Sequence, residues 1–197
     1  MEAMMNDLVQ QYGYFAIFCL MILNGMTSAP SSPLVYLPAG YFVAVGPLDF
    51  SYVVLSGTAG NTIGNMVVYY IVRRCGLEQL FDQVVFLKKR RVAFDHFRRV
   101  FDRSNVKISF MGKFVPVVKV FVPVAAAVCN MKQQVFLLVI VAASTIWAVG
   151  VVLHGYYLTT AITETDGKTQ TILIALGLLS LPLVVWWFRR QFKTLSE

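Results

Sequence analysis

Residues 112–131 read GKFVPVVKVFVPVAAAVCNM, an apolar run that two prolines interrupt and that carries two lysines, Lys113 and Lys119. Proline removes a backbone donor and clashes with the preceding helical turn, so a straight helix across the run is disfavoured. In hydrocarbon, broken backbone is tolerated only where it is buried in protein or lines a wet cavity. The run therefore predicts a re-entrant hairpin over residues 107–131; a kinked but complete span is the alternative.

The composition of the whole chain indicates an integral membrane protein. Of its 197 residues, 57% are hydrophobic and 14% are charged, whereas soluble domains have about 25% charged residues. Because a span uses about 20 residues, residues 1–197 are predicted to form a single membrane domain. Residues 1–25 are predicted to form a retained N-terminal helix. Uninterrupted spans are predicted at 135–158 and 172–188, and a span with a polar side at 50–72.

Basic residues fix the predicted orientation. They crowd the segment 77–105 and return in the tail 189–197, so both are placed in the cytoplasm. Apolar residues at spacings of three and four make 77–105 an amphipathic segment whose cations lie near anionic headgroups. Nucleic acid is the other partner that a net charge of +7 could attract, but the apolar stripe favours the membrane surface, and no nucleic-acid partner is expected.

A second interrupted stretch, residues 26–48, contains prolines and glycines and is also predicted to be a re-entrant hairpin. A hairpin followed by a span occurs here, and a second such unit begins with the hairpin at 107–131. The two units are predicted to have opposite orientations in the membrane. The predicted fold class is an all-α membrane protein with an inverted repeat of re-entrant hairpin plus transmembrane helix, an additional C-terminal transmembrane helix and a cytoplasmic amphipathic helix. In transporters, paired interrupted segments in two halves point to a substrate site near the bilayer midplane.

The two lysines are the first candidate site residues, because ionisable residues at membrane depth are usually functional. On a straight helix, residues six apart point about 120° away from each other, but a bend at Pro116 would let Lys113 and Lys119 face one cavity. Two point charges beside free backbone donors suit a phosphate group. The alternative is that both lysines snorkel to the cytoplasmic interface and only set the topology.

The predicted span at 50–72 supplies two further pairs. Gly60 and Gly64 form a small-xxx-small pair that lets another helix approach closely. Asn61 and Asn65 are four apart and therefore lie on one helix face, where they are predicted to line the cavity.

Enzyme signatures are absent from the sequence. There is no HExxH, no Gly-rich phosphate loop and no GxSxG, and the cysteines and histidines lack metal-ligand spacing. We therefore expect no enzymatic activity, no cofactor and no metal.

The run at 112–131 resembles the signature of the DedA family, the VTT-domain membrane proteins, in which Arg-Phe-x-Pro-x-x-Arg leads through a second proline to small residues and a methionine. The matching residues are Phe114, Pro116, Pro123, Ala126 and Met131. The stretch GNTIGNMVVYYIVRRCG is similar to the family's Gly-x-x-x-Gly-Asp-x-x-x-Tyr-x-x-Gly-Arg-x-x-Gly segment. The resemblance covers about residues 10–160 and implies two facing re-entrant hairpins that move lipids, such as undecaprenyl phosphate or phospholipids, across the bacterial inner membrane.

The chain departs from that family pattern at informative places. Lysines 113 and 119 replace both signature arginines, Asn65 replaces an aspartate, Pro33 stands at the glutamate of the first hairpin, and Ala127 replaces a glycine. The resemblance then implies that positive charge for phosphate is kept, while the two carboxylates associated with proton coupling are gone. Facilitated flipping, or coupling through something else, is favoured.

The predicted function is a lipid translocase, either a flippase or a scramblase, for a phosphate-bearing lipid such as a polyprenyl phosphate or a glycerophospholipid. A small-ion or solute transporter using the same cavity and a non-transporting assembly protein are the alternatives, and a homo-oligomer is compatible with each. The predicted substrate-binding residues are Lys113, Lys119, Pro116, Asn61, Asn65, Pro33 and Pro123.

Overall fold

The computed structural model describes residues 2–76, 98, 101, 105–115 and 118–163, with side chains from residue 9 onward. All regular structure in these residues is helical, as the predicted class requires. The helices are α1 (Glu2–Thr27), α2 (Ser32–Ala44), α3 (Phe50–Cys75), α4 (Asn105–Gly112), α5 (Phe121–Val128) and α6 (Gln133–Thr163). Most of the predicted segment 77–105, and all of the predicted span at 172–188 and tail at 189–197, lie outside the described residues.

Helix α6 contains a candidate membrane span. Gln133–Ile162 is the one stretch of the described residues that is both long and apolar enough to cross a membrane, and it includes the predicted span at 135–158. Helix α3 covers the predicted span at 50–72 and has 26 residues, or about 39 Å at 1.5 Å per residue. Its asparagines, threonines and glycines make it less apolar than α6.

Helix α3 has well-defined ends. The Asp49 carboxylate accepts hydrogen bonds from the backbone N–H groups of Ser51 (2.8 Å) and Tyr52 (3.2 Å), which satisfies two donors of the first turn. At the other end, Arg73 and Arg74 lie in the last turn, where cations interact favourably with the helix dipole.

Glycines bring α1 against α3. A Cβ atom added to Gly25 would lie 3.0 Å from Gly64 Cα, and one added to Gly60 would overlap the backbone carbonyl of Phe18. The close approach predicted for the Gly60 and Gly64 pair is therefore confirmed, with α1 as the partner. The two helices run in the same direction, because Gly13 packs on Leu48, just before α3, while Gly25 packs on Gly64.

Helix α2 differs from the predicted interruption of residues 26–48. Pro33 lies in its first turn, where a missing N–H breaks no hydrogen bond, and Pro38 lies inside the helix without ending it. The expectation that these prolines interrupt the helix is wrong; the break falls at residues 28–31, between α1 and α2. Helix α2 packs along α6 through Gly40 and Gly155.

The second proline-interrupted stretch does break, between α4 and α5. Turns replace the helix after Gly112, and Val115 O accepts hydrogen bonds from the N–H groups of Val118 (3.0 Å) and Lys119 (2.9 Å). Pro123, in contrast, is a buried residue in the first turn of α5, so the expected interruption at Pro123 is wrong. Pro116 lies outside the described residues.

Two apolar cores occupy opposite ends of α3 and α6. Their members on these two helices are Val53, Val54, Ala148, Val151 and Val152 in one core, and Tyr69, Val72, Phe136 and Ile140 in the other. The order of these members makes α3 and α6 antiparallel. Buried Asn61, Asn65 and Ser144 lie between the two cores. Asn61 is thus roughly 17 Å from the start of α3 and roughly 21 Å from its end, at about 1.5 Å per residue.

Candidate functional site

The side-chain amide of Asn61 is the centre of the polar layer. Its Oδ1 atom accepts hydrogen bonds from Lys113 Nζ (2.7 Å), Ser144 Oγ (2.9 Å) and Asn65 Nδ2 (3.2 Å). Asn65 Nδ2 also donates to the Asn61 backbone carbonyl at 2.6 Å, so the predicted stacking of the two asparagines on one face is confirmed. One amide oxygen therefore joins α3, α6 and the turn after α4.

The same network extends to the turn between α1 and α2. Asn61 Nδ2 donates to Asn24 Oδ1 at 2.9 Å, and Asn24 Nδ2 donates to the carbonyl of Pro30 at 2.5 Å. Asn24 is buried and was not among the predicted site residues. Its sequence gives no distinct signal, because α1 carries several other polar residues, including Asn6 and Gln10.

A small cavity of about 20 Å³ adjoins this network. Its walls are formed by Met21, Asn24, Ser32, Tyr36, Asn61, Lys113, Lys119, Ala143, Ser144 and Trp147. Both lysines face it, as the expected bend between them requires. A volume of this size accommodates about one water molecule and is too small for a phosphate group.

The positive charge at the cavity has no acidic partner in the described part of the chain. The Lys113 ammonium group donates to a neutral amide, and the Lys119 ammonium group has no hydrogen-bond or carboxylate partner among the described residues. Asp49 is the one acid whose side chain is described, and it caps the start of α3. Lys113 is half-buried and contacts Asn61, which lies near the middle of α3.

Trp147 connects the two turns that border the cavity. Its indole N–H donates to Ser32 Oγ at 2.9 Å, at the start of α2. Its ring meets that of Phe114 edge to face, with centroids 5.7 Å apart, in the turn after α4. Both Trp147 and Ser32 were missed by the sequence analysis.

Two helices begin at the cavity. Ser32, the first residue of α2, lines it, and α5 begins two residues after Lys119. The N-terminal end of a helix carries partial positive charge and free N–H groups. The helix ends therefore add to the positive potential of the two lysines.

Three further predicted site residues, Asn65, Pro33 and Pro123, lie away from the cavity wall. Asn65 is one layer behind Asn61 and holds it by two hydrogen bonds. Pro33 follows Ser32 without lining the cavity, and Pro123 belongs to the buried face of α5. The described residues contain no group of three or more His, Cys, Asp or Glu side chains that could hold a metal ion.

Comparisons with known proteins give a consistent relationship. The family model of the VTT domain matches residues 29–157. Undecaprenyl phosphate transporter A of Staphylococcus aureus is 25% identical over 159 residues, which are 79% of this chain and 78% of the relative. The protein of the same name from Bacillus subtilis is 23% identical, covering 83% of this chain and 82% of its own length. An alkaline phosphatase-like protein of Lactococcus lactis subsp. lactis is 20% identical over 98% of this chain and 94% of its own length. No solved structure is significantly similar.

Proposed function

Because this chain belongs to the VTT-domain (DedA) family, we propose that it is a membrane transporter that carries a phosphate-bearing lipid across the bilayer and holds the headgroup in the cavity beside Asn61. The lipid-carrier names of two relatives support a polyprenyl phosphate as the substrate. The basic segment at 77–105 and the C-terminal tail lie on the cytoplasmic side in this proposal.

One observation carries the proposal: two lysines face a single mid-depth cavity without a carboxylate among the described residues around it. An ionisable group at membrane depth costs about 2.5–3.5 kcal/mol even on the lenient insertion scales. Retaining two such groups is explained if an anion neutralises them during the working cycle. A phosphate group supplies that charge and accepts hydrogen bonds from both ammonium groups.

The chain directions support an inverted repeat. Helices α3 and α6, which follow the two interrupted segments, run antiparallel. Ser32, directly after the turn at 28–31, and the turn residues Lys113 and Lys119 all line the cavity. We therefore place two re-entrant hairpins with their tips facing each other. Half-helices whose N-terminal ends point at an anionic substrate group are a recurrent arrangement in transporters, and α2 and α5 fit it.

The small size of the cavity implies a change of shape during transport. At about 20 Å³ it does not admit a phosphate, so the two tips separate when the headgroup enters. The apolar chain of the lipid stays in the membrane while the headgroup passes. The cavity walls offer no carboxylate to carry a proton, which favours facilitated movement along the lipid gradient over proton-driven exchange.

Reconstitution into vesicles tests the proposal. A fluorescent polyprenyl phosphate and fluorescent glycerophospholipids are placed in the inner leaflet, and the appearance of their headgroups outside is followed with a membrane-impermeant quencher. We expect faster appearance of the polyprenyl phosphate than in protein-free vesicles. Headgroup appearance no faster than in protein-free vesicles for every lipid, or flux of inorganic phosphate without lipid movement, would reject lipid transport in favour of another role.

A further inference from the structure

We infer that the Tyr36 hydroxyl donates a hydrogen bond to the phosphate of the carried lipid and makes the cavity selective for headgroups that only accept hydrogen bonds. Tyr36 is 1% exposed and lines the cavity from α2. Its hydroxyl has no hydrogen-bond partner among the described residues. This inference rests on the proposed function and adds a specificity-determining residue to it.

The position of the Tyr36 ring is fixed by packing. A Cβ atom added to Gly57 would lie 2.8 Å from Tyr36 Cζ, so the ring occupies the space that any other residue at Gly57 would fill. The ring also belongs to the apolar core that includes Val53 and Val152. The hydroxyl oxygen faces α3 at Gly57, one turn before Asn61, and the packing of the ring keeps it from turning away to solvent.

The cavity wall is richer in charged donors than in acceptors, and its described residues include no carboxylate. Lys119 contributes three N–H groups and Lys113 contributes the N–H groups that Asn61 leaves unused. The Ser32 oxygen accepts from Trp147, and its own hydrogen is free to donate. Both side-chain amide oxygens of the wall already accept hydrogen bonds, Asn61 from three donors and Asn24 from one.

This inventory defines the chemical class of the headgroup. A phosphate monoester presents up to three charged oxygens and no cation, so each free donor of the wall finds an acceptor. The headgroup of phosphatidylethanolamine brings an ammonium group that would meet two lysines and no carboxylate among the described wall residues. The Tyr36 hydroxyl adds discrimination because a buried donor left unpaired is unfavourable, whereas one paired with a charged oxygen is strongly favourable.

The test is Tyr36→Phe, which keeps the ring and deletes the hydroxyl. The matched control is Thr62→Val, because the Thr62 hydroxyl is also buried and unpaired but is absent from the cavity wall. Purified protein in detergent is titrated with farnesyl phosphate, a short phosphate monoester, and with a short-chain phosphatidylethanolamine. The melting temperature, Tm, of each variant is measured in parallel.

We expect Tyr36→Phe to bind farnesyl phosphate about tenfold more weakly, to keep its weak binding of phosphatidylethanolamine, and to melt at or above the Tm of wild type. Thr62→Val should match wild type in affinity. Unchanged affinity of Tyr36→Phe, an equal loss in Thr62→Val, or a lower Tm for Tyr36→Phe would each overturn the inference. If wild type itself neither binds nor transports a phosphate lipid, the proposed function fails. If wild type binds and transports the lipid but Tyr36→Phe behaves like wild type, only the role of the Tyr36 hydroxyl fails.

Discussion

Replacing Lys113 by Met separates the functional from the structural role of the buried charge. In the structure, the ammonium group of Lys113 donates a hydrogen bond to Asn61 Oδ1 at 2.7 Å. A hydrogen bond from a charged group stabilises by about 1.5–3 kcal/mol, whereas a charge at membrane depth costs about 2.5–3.5 kcal/mol. Because methionine has a similar length and no charge, these contributions offset, and the free energy of unfolding should change by about 1 kcal/mol or less.

Binding of phosphate should respond much more strongly than stability. The substituted side chain loses one charge-assisted contact with the headgroup, which is worth about 1.5–3 kcal/mol. Since about 1.4 kcal/mol corresponds to a factor of ten, the dissociation constant for farnesyl phosphate should rise by a factor of about 10 to 150. Lys113→Met/Lys119→Met should abolish vesicle transport while leaving membrane insertion intact.

The assay is titration of detergent-purified protein, with Tm measured on the same samples. Lys132→Met is the matched control, because Lys132 is exposed just before α6 and does not line the cavity. Wild-type affinity in Lys113→Met, or an equal loss in Lys132→Met, would refute the role assigned to the buried charge.

Three other substitutions test the frame of the site. Gly40→Ala should lower the free energy of unfolding by about 1–3 kcal/mol, because the added Cβ would lie within 3 Å of the α6 backbone. The control Gly150→Ala, which has open space around its Cβ, should not lower Tm. Equal effects of the two substitutions would contradict the close packing of α2 on α6. Asn61→Leu should lower the free energy of unfolding by about 3 kcal/mol or more, because Lys113 loses its acceptor. Adding Lys113→Met to this variant should restore most of the lost stability, as measured by thermal unfolding. Additive losses of stability in the double variant would count against the pairing of Asn61 with Lys113. Tyr69→Phe should lower stability by about 1 kcal/mol through its lost hydrogen bonds and leave farnesyl phosphate affinity unchanged; weaker binding would be unexpected.

Local patterns predicted the parts of the site that depend on local spacing. Four-residue spacing put Asn61 and Asn65 on one face, and small-residue spacing put Gly60 and Gly64 against a neighbouring helix. Charge in an apolar run pointed to the lysines. Each of these signals arises within one or two turns of a single helix, so the sequence carries it directly.

The rest of the cavity depends on contacts between distant segments. Three different helices carry four of the wall residues, Asn24, Tyr36, Ser144 and Trp147. The sequence spacing of these residues does not distinguish them from their neighbours. The turn at 28–31 and the packing of α2 on α6 bring them together. Such residues become visible only when the helix directions are known.

The proline errors have a local cause. Pro33 and Pro123 occupy first turns, where the missing N–H breaks no intrahelical bond, and Pro38 is held inside α2. From sequence alone, a proline that begins a helix is hard to distinguish from one that ends a helix. The breaks that matter fall at residues 28–31 and after Gly112.

Native mass spectrometry of the purified protein tests most directly whether the lysine-lined cavity is a site for a lipid phosphate. Wild type and Lys113→Met/Lys119→Met are purified from the same membranes, and the bound lipid is identified. The account predicts that a lipid ending in a phosphate monoester copurifies with wild type and is lost from the double variant. Equal retention of that lipid by both proteins, or wild type carrying only lipids without phosphate, would contradict it.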